Sequence, residues 1–92
     1  ERTKILVHLI DATAASHLES YEAIRNELKA YSRELAKKKE IIVINKIDLI
    51  DEAQLATIIS TFKSKGKRVI AISAKEKLGL DKLIAEIVKR VV

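Results

Sequence analysis

Two polar side chains that could recognise a ligand follow an apolar run in the middle of the chain. Residues 41–44 read Ile-Ile-Val-Ile, and the next four are Asn45, Lys46, Ile47 and Asp48. This pattern predicts a buried parallel strand that ends at the sheet edge where open α/β sheets bind ligands. An ionised carboxylate can accept two adjacent donors in one charge-assisted contact. Guanine offers such a pair, a ring N–H beside an amino group, whereas adenine would leave the Asp48 carboxylate partly unsatisfied.

A second polar segment follows another apolar run. Residues 69–72 read Val-Ile-Ala-Ile and are followed by Ser73, Ala74 and Lys75. Because the carboxyl ends of neighbouring parallel strands lie at one edge of a sheet, we expect both polar segments to face the same ligand. Either segment alone is a weak signal of ancestry. The two together, each after a strand and before a helix, are a strong signal of ancestry.

Three apolar runs alternate with three helical patterns along the chain. The runs occupy residues 4–10, 41–44 and 69–72, and they are nearly continuous, as in strands covered on both faces. Strands that alternate with helices predict a parallel sheet with right-handed crossovers. We therefore predict an α/β fold with three layers and strand order 1-2-3, built as β-α-β-α-β-α, with residues 1–92 forming a single domain.

The helices are predicted from apolar residues at three- and four-residue steps. The first covers about residues 16–31, with Tyr21 and Tyr31 on the side that faces the core. The second is capped by Asp51, which forms a capping-box pattern with Gln54. The third lies near the end of the chain, and its apolar side comprises Leu80, Leu83, Ile84, Ile87, Val88 and Val91.

Four segments together resemble the Obg family of translation-factor GTPases: residues 5–11, 20–32, 41–48 and 69–75. The stretch Tyr-Glu-x-Ile-x-x-Glu-Leu-x-x-Tyr-Ser at residues 21–32 points to Obg rather than to GTPases in general. The resemblance covers essentially the whole chain. It corresponds to the second, guanine-recognising half of that family's GTPase domain, and so implies half of a P-loop GTPase domain.

The resemblance implies a role for each residue of the Asn-Lys-x-Asp segment. Asn45 matches the asparagine that braces the nucleotide loop and lies near the base. Lys46 matches the lysine whose alkyl stem covers one face of the guanine. Asp48 matches the carboxylate that pairs with the ring N–H and the amino group.

The resemblance also implies roles for the segment after the third strand. Ser73 would steady the Asp48 carboxylate, and the Ala74 backbone N–H would donate to the guanine carbonyl. Lys75 would flank the base. The six guanine-binding candidates are therefore Asn45, Lys46, Asp48, Ser73, Ala74 and Lys75.

The motifs for phosphate chemistry are absent from this sequence. The chain has two glycines, Gly66 and Gly79, and no Gly-x-x-x-x-Gly-Lys-Ser/Thr or Asp-x-x-Gly pattern. By the resemblance, those motifs would precede Glu1. We therefore predict no catalytic residues, no GTP hydrolysis by this chain alone and no required cofactor, with at most weak GDP or GTP binding. Without cysteine and with two dispersed histidines, we also expect no metal site.

The first strand, from Ile5 to Ile10, is expected to bind a partner. In a complete domain of this kind it would pair with the phosphate-loop strand, so here we expect an apolar sheet edge with unpaired backbone groups. We predict that this strand pairs with a second copy of the chain or with the missing first half of the GTPase domain.

Composition leaves two other functions open. Proline, methionine, cysteine and tryptophan are absent, which favours an excised or engineered sequence over a thermophile-like one. An engineered α/β scaffold without a ligand is therefore an alternative. The net charge of +5 permits an anionic partner, so a ribosome- or RNA-binding module is another, as the resemblance also suggests, although aromatic residues make up only 3% of the chain. We expect a cytoplasmic protein with no membrane segment.

Overall fold

The computed structural model describes residues 5–91, without the side chain of Val91. Its eight elements, in chain order, are β1 (Ile5–Asp11), α1 (His17–Tyr31), α2 (Arg33–Ala36), β2 (Lys39–Asn45), a 3₁₀ turn (Ile47–Leu49), α3 (Glu52–Ser64), β3 (Val69–Ala71) and α4 (Leu80–Val91). The strands are parallel and ordered β1-β2-β3. The predicted α/β fold and strand order are confirmed.

The middle strand β2 is covered on both faces. Residues 41–44 are at most 4% exposed, and β1 and β3 flank them in the sheet. On one face, β2 packs with Tyr21 of α1 and Ile58 and Phe62 of α3. On the other face, it packs with an apolar side of α4 formed by Leu80, Leu83 and Ile87. The continuous apolar run of β2 thus has the environment that its sequence predicts, and the sheet is the middle of three layers.

The second long helix begins where the sequence predicts. The Asp51 carboxylate accepts a hydrogen bond from the Gln54 backbone N–H at 2.7 Å, and the Gln54 side chain accepts one from the Asp51 N–H at 3.0 Å. This reciprocal capping box satisfies two donors that a helix N-terminus leaves without intrahelical partners. It therefore fixes where α3 starts after the 3₁₀ turn.

One polar cluster lies inside the α1 side of the sheet. The Tyr21 hydroxyl donates to Glu40 Oε1 at 2.5 Å, and the His8 ring stacks at a tilt on Tyr21, with 4.9 Å between centroids. His8 and Arg25 each lie within 3.7 Å of Glu40 Oε2. Burial lowers the pKa of His8, although the Glu40 carboxylate acts in the opposite direction. The cluster links β1, β2 and α1, with His8 packed between Tyr21 and Glu40.

Several strand and helix predictions need correction. The prediction that Tyr31 lies in the core is wrong, since its side chain is 83% exposed. Ile24, two helical turns earlier, is also 50% exposed. It lies beside the edge strand β1, where the sheet ends and no other element among residues 5–91 covers α1. The third strand ends at Ala71 rather than Ile72, and β2 starts earlier, at Lys39. The prediction that the first run begins at residue 4 lies outside the described residues.

The apolar side predicted for the last helix is only partly buried. Ile84 is 60% exposed and Val88 52% exposed, while their neighbours Leu83 and Ile87 pack on the sheet. A three-stranded sheet is too narrow to cover the full apolar width of α4. Within residues 5–91, no helix has the length and apolar character needed to cross a membrane.

The two glycines provide a matched test of the turn that precedes α4. Both have positive φ, +74° at Gly66 and +73° at Gly79. A Cβ on Gly79 would lie 2.4 Å from the Ala71 carbonyl oxygen, whereas one on Gly66 would meet no atom within 4 Å. We expect Gly66→Ala to lower the free energy of unfolding by about 1–2 kcal/mol, the cost of the left-handed backbone alone.

Gly79→Ala should lower it by about 3 kcal/mol or more, because the added methyl group must also displace buried backbone. Urea denaturation of both variants measures the difference. Equal losses in the two variants would contradict the close packing at Gly79.

Candidate base-recognition site

The two predicted polar segments lie beside each other at the carboxyl edge of the sheet. β2 ends at Asn45, and the chain after β3 reaches Ser73 two residues beyond Ala71. Where the strands end, the Ile72 N–H donates to the Ile44 carbonyl at 2.8 Å. The segments therefore start from backbones that are hydrogen-bonded to each other, which is the arrangement expected for a shared site.

A left-handed residue turns the chain after β2. Lys46 has φ +69°, and its N–H donates to the Asn45 side-chain oxygen at 2.8 Å. This turn sends Ile47 back to the core, where it packs against the apolar residues between the sheet and helices α1 and α3. Asp48 remains exposed in the 3₁₀ turn. In the Asn-Lys-Ile-Asp segment, Ile47 thus anchors the turn in the core and leaves the Asp48 carboxylate accessible.

The Asp48 carboxylate is held by a buried serine. Ser73 is 0% exposed, and its hydroxyl donates to Asp48 Oδ1 at 2.7 Å. The same hydroxyl oxygen accepts a hydrogen bond from the Glu76 N–H at 3.1 Å. Donation to one carboxylate oxygen and acceptance from a loop N–H fix the serine rotamer. The contact predicted between Ser73 and Asp48 is therefore present in the structure.

Asn45 connects the two segments. Its side-chain oxygen accepts hydrogen bonds from the N–H groups of both Lys46 and Ala74, the latter at 3.1 Å. The Ala74 N–H, which the resemblance assigns to the guanine carbonyl, thus has a protein acceptor here. A base carbonyl would have to share or replace that acceptor.

The loop that carries Lys75 is closed on itself. Ser73 and Leu78 exchange two backbone hydrogen bonds of 3.0 Å, so residues 74–77 project as a short loop. Lys75 is exposed in this loop. Lys75 therefore lies in an exposed loop that begins directly after Ser73.

Lys46 makes a contact that the sequence reasoning missed. Its ammonium nitrogen lies 3.0 Å from Oδ2 of Asp11, at the end of β1. The other Asp11 oxygen accepts hydrogen bonds from the N–H and the hydroxyl of Thr13, so Asp11 also caps the loop that follows β1. Hydrogen bonds from Thr13, followed by that from Lys46, lower the pKa of Asp11 to about 2. Since Asp11 aligns with Asn45 in the parallel register, strand alignment would have revealed this contact.

A groove adjoins the site on the α1 and α3 side. It has a volume of about 740 Å³ and is lined by the loop after β1, by Leu49 and Ile50, and by one side of α3. Several of its polar groups are engaged within the protein: His17 Nε2 contacts the Ala12 carbonyl at 2.9 Å, and Thr57 donates to the Ala53 carbonyl. The groove thus offers mainly shape and apolar surface. No group of three or more His, Cys, Asp or Glu side chains within residues 5–91 could hold a metal ion.

Comparison with known proteins identifies relatives over nearly the whole chain. The GTPase Obg of Prochlorococcus marinus is 46% identical over 92 residues, which is 99% of this chain. The GTPase Obg of Thermosynechococcus vestitus is 45% identical over 91% of the chain, and that of Pelagibacter ubique is 41% identical over 99%. The chain is homologous to one segment of the Obg GTPases.

The predicted resemblance is therefore confirmed at the level of a fragment. The chain spans 28% of the length of the Prochlorococcus and Pelagibacter relatives and 26% of the Thermosynechococcus one. No protein-family model matches it. Together with the three parallel strands, the homology is consistent with half of a P-loop GTPase domain.

The buried serine provides a direct test of how the site is held together. Ser73→Ala removes the donor to Asp48 and leaves the Glu76 N–H without its acceptor. We expect the free energy of unfolding to fall by about 1–2 kcal/mol, since a part-buried donor loses its partner. We also expect faster amide hydrogen exchange at Glu76.

Ser64→Ala is the matched control, because Ser64 is exposed and donates only to the Thr61 carbonyl near the end of α3. Its effect on stability should stay within about 0.5 kcal/mol. Similar losses in the two variants would mean that the serine–carboxylate contact does not organise the loop.

Proposed function

We propose that this chain is the base-recognising part of an Obg-type GTPase and that it binds guanine nucleotides through Asp48. The observation that carries the proposal is the 2.7 Å hydrogen bond from the buried Ser73 hydroxyl to the exposed Asp48 carboxylate. It joins the two sequence segments to which the family resemblance assigns guanine recognition.

The chemistry of the proposed contact follows from the lone pairs of the carboxylate. Each oxygen of an ionised carboxylate can accept more than one hydrogen bond, so donation from Ser73 leaves capacity for two donors of the base. The serine fixes the rotamer of Asp48 before the ligand arrives, which reduces the ordering cost of binding. Guanine presents its ring N–H and amino group side by side, whereas adenine has no ring N–H there.

The neighbouring groups supply the remaining contacts of the proposed site. The Ala74 N–H would turn from Asn45 to the guanine carbonyl, and Lys46 would lay its alkyl stem along the base. Lys46 is already directed across the sheet edge by its ion pair with Asp11. Lys75 is exposed in the loop that begins after Ser73 and would flank the base from there.

Affinity should be weak in this chain alone. The sequence has no Gly-x-x-x-x-Gly-Lys-Ser/Thr motif, so the phosphates would lack the backbone N–H groups that bind them in complete domains. We propose a dissociation constant near 1 mM or weaker for GDP, which corresponds to about −4 kcal/mol at best.

A nucleic-acid-binding role has less support. The charged side chains beside the amino ends of β2 and β3 comprise four cations and two carboxylates, and both carboxylates are engaged: Glu86 pairs with Arg90, and Glu40 contacts Arg25. Pairing reduces the positive field that RNA binding requires. The site at the opposite end of the sheet is the more organised feature.

Amide NMR during nucleotide titration tests base recognition. GDP should shift the backbone signals of Asp48 and Ala74, and ATP at equal concentration should not, because only guanine presents both donors to the carboxylate. Asp48→Asn should abolish the GDP shifts, since the amide replaces one accepting oxygen with an NH₂ donor that would face a donor of the base.

Asp81→Asn, which removes an exposed carboxylate from the first turn of α4, is the charge-matched control and should keep the GDP shifts. Equal responses to GDP and ATP, or no response at millimolar GDP, would favour a scaffold without a ligand.

We further propose that the isolated chain does not hydrolyse GTP, although its relatives are GTPases. Phosphoryl transfer relies on positioning and neutralising the phosphates, and the sequence lacks the motifs that do this. Phosphate release from GTP with Mg²⁺ should equal that of a protein-free blank. Release that scales with protein concentration and requires Mg²⁺ would contradict this proposal.

A further inference from the structure

β1 presents an open row of backbone groups at the edge of the sheet. The Ala12 N–H donates to the Asn45 carbonyl at 2.8 Å, so in the parallel register the even-numbered residues of β1 bond to β2. The N–H and C=O groups of Ile5, Val7 and Leu9 therefore point away from β2. Among residues 5–91, no strand pairs with that side of β1.

Exposed apolar side chains border this edge on both faces of the sheet. On the α4 face, Val7 is 44% exposed and Leu9 61% exposed. On the α1 face, Ile24 is 50% exposed and lies over the groove beside β1. We call Val7, Leu9 and Ile24, together with Ile84 and Val88 of α4, the edge patch.

The α4 members of the edge patch face the β1 side of the molecule. Glu86 and Arg90 lie on the other side of α4, where they group with Arg68, the residue that precedes β3. Ile84 precedes Glu86 by two residues, and Val88 precedes Arg90 by two. Because two residues of a helix correspond to a rotation of about 200°, Ile84 and Val88 point away from Arg68 and toward β1. Ile84 is 60% exposed and Val88 52% exposed.

We propose that a second copy of this chain docks on the edge patch, with the two β1 strands antiparallel around a two-fold axis at His8. In this arrangement Val7 faces the partner's Leu9 and Leu9 faces the partner's Val7. The two three-stranded sheets become one sheet of six strands.

The register follows from which backbone groups are open. Only the odd-numbered residues of β1 have backbone N–H and C=O groups that point away from β2. The two-fold axis must therefore place odd-numbered residues opposite odd-numbered residues of the partner. Axes at Val7, His8 or Leu9 satisfy this condition. Of these, only the axis at His8 uses the full strand Ile5–Asp11, because His8 is its central residue.

The same symmetry brings the helices together. An axis perpendicular to the sheet keeps each face on its own side, so α4 lies beside the partner's α4 and α1 beside the partner's α1. Ile84 and Val88 would then pack against their own counterparts, as would Ile24. A single operation thus covers all five members of the edge patch, which is why a second copy fits this surface.

Charge and size also suit a second copy. Ile5, Val7 and Leu9 are uncharged, and the nearby ions are paired: Arg25 contacts Glu40, and Lys46 contacts Asp11. Five large side chains, each about half exposed, amount to several hundred Å² of apolar surface, the size of the largest apolar patch on a typical monomer, which is often functional. A stable complex buries ~800 Å² per partner, so the backbone of β1 and the flanking helices must supply the rest of the interface.

Sedimentation equilibrium tests the dimer. The wild-type chain should be dimeric at high concentration, and Leu9→Lys should weaken the dimer at least ~10-fold because it buries a charge at the seam. Leu49→Lys is the matched control: Leu49 is 62% exposed, but it lies in the 3₁₀ turn outside the edge patch. It should dimerise like the wild type. Circular dichroism confirms that both variants fold.

Disulfide formation tests the register, since the chain has no cysteine of its own. With the axis at His8, the two copies of residue 8 form a non-hydrogen-bonded pair with Cα atoms about 4.5 Å apart. This lies within the range of about 4.4–6.8 Å for disulfides, so His8→Cys should cross-link under mild oxidation. The two copies of residue 7 are diagonal neighbours about 7–8 Å apart, so Val7→Cys should not.

Three outcomes would overturn the proposal. One is a folded wild-type chain that stays monomeric up to about 1 mM, the concentration at which an association of about −4 kcal/mol would be half complete. Another is a dimer that Leu9→Lys leaves unchanged. The third is cross-linking at residue 7 but not at residue 8. If the chain never self-associates but binds the first half of an Obg GTPase domain, the edge patch is instead the binding surface for that half. None of these measurements depends on nucleotide binding.

Discussion

The burial of β2 on both faces is the constraint on which the rest of the structure depends. Its four central residues contact α1 and α3 on one side and α4 on the other, so polar side chains can begin only where the strand ends. Asn45 is the first residue past that limit. Because β3 runs parallel beside β2, Ser73 emerges at the same edge. The position of the candidate site is thus a consequence of which residues the core can accept.

At that edge, three groups with proposed roles are each held by a less exposed one. Asp48 is held by the buried Ser73, the Ala74 N–H by Asn45, and the Lys46 ammonium group by Asp11. The last of these contacts reaches from β2 to β1, so the ends of all three strands are connected. In the proposed site, these contacts would order the recognising groups before a ligand arrives, which would reduce the cost of binding and leave the missing phosphate contacts as the main limit on affinity.

The sequence predicts the features that depend on local chemistry. The strand order follows from alternation of apolar runs with helices, the start of α3 from the capping pair Asp51 and Gln54, and the contact of Ser73 with Asp48 from family resemblance. It fails where burial depends on how wide the sheet is. Periodicity places Tyr31 and Ile84 on apolar helix sides, but it cannot show that the sheet ends before covering them. The Lys46–Asp11 pair was missed because it joins residues that are 35 positions apart.

The exposed apolar residues and the ordered site therefore have one physical origin. Three strands give enough core to bury β2 completely and to fix the loops at its end, yet too few to cover both long helices. The uncovered surface lies along β1, at the side of the sheet, whereas the polar site lies at the ends of the strands. A partner on β1 would extend the sheet laterally and stabilise the strand whose last residue, Asp11, binds Lys46. Association through the edge patch would thus support the site without covering it.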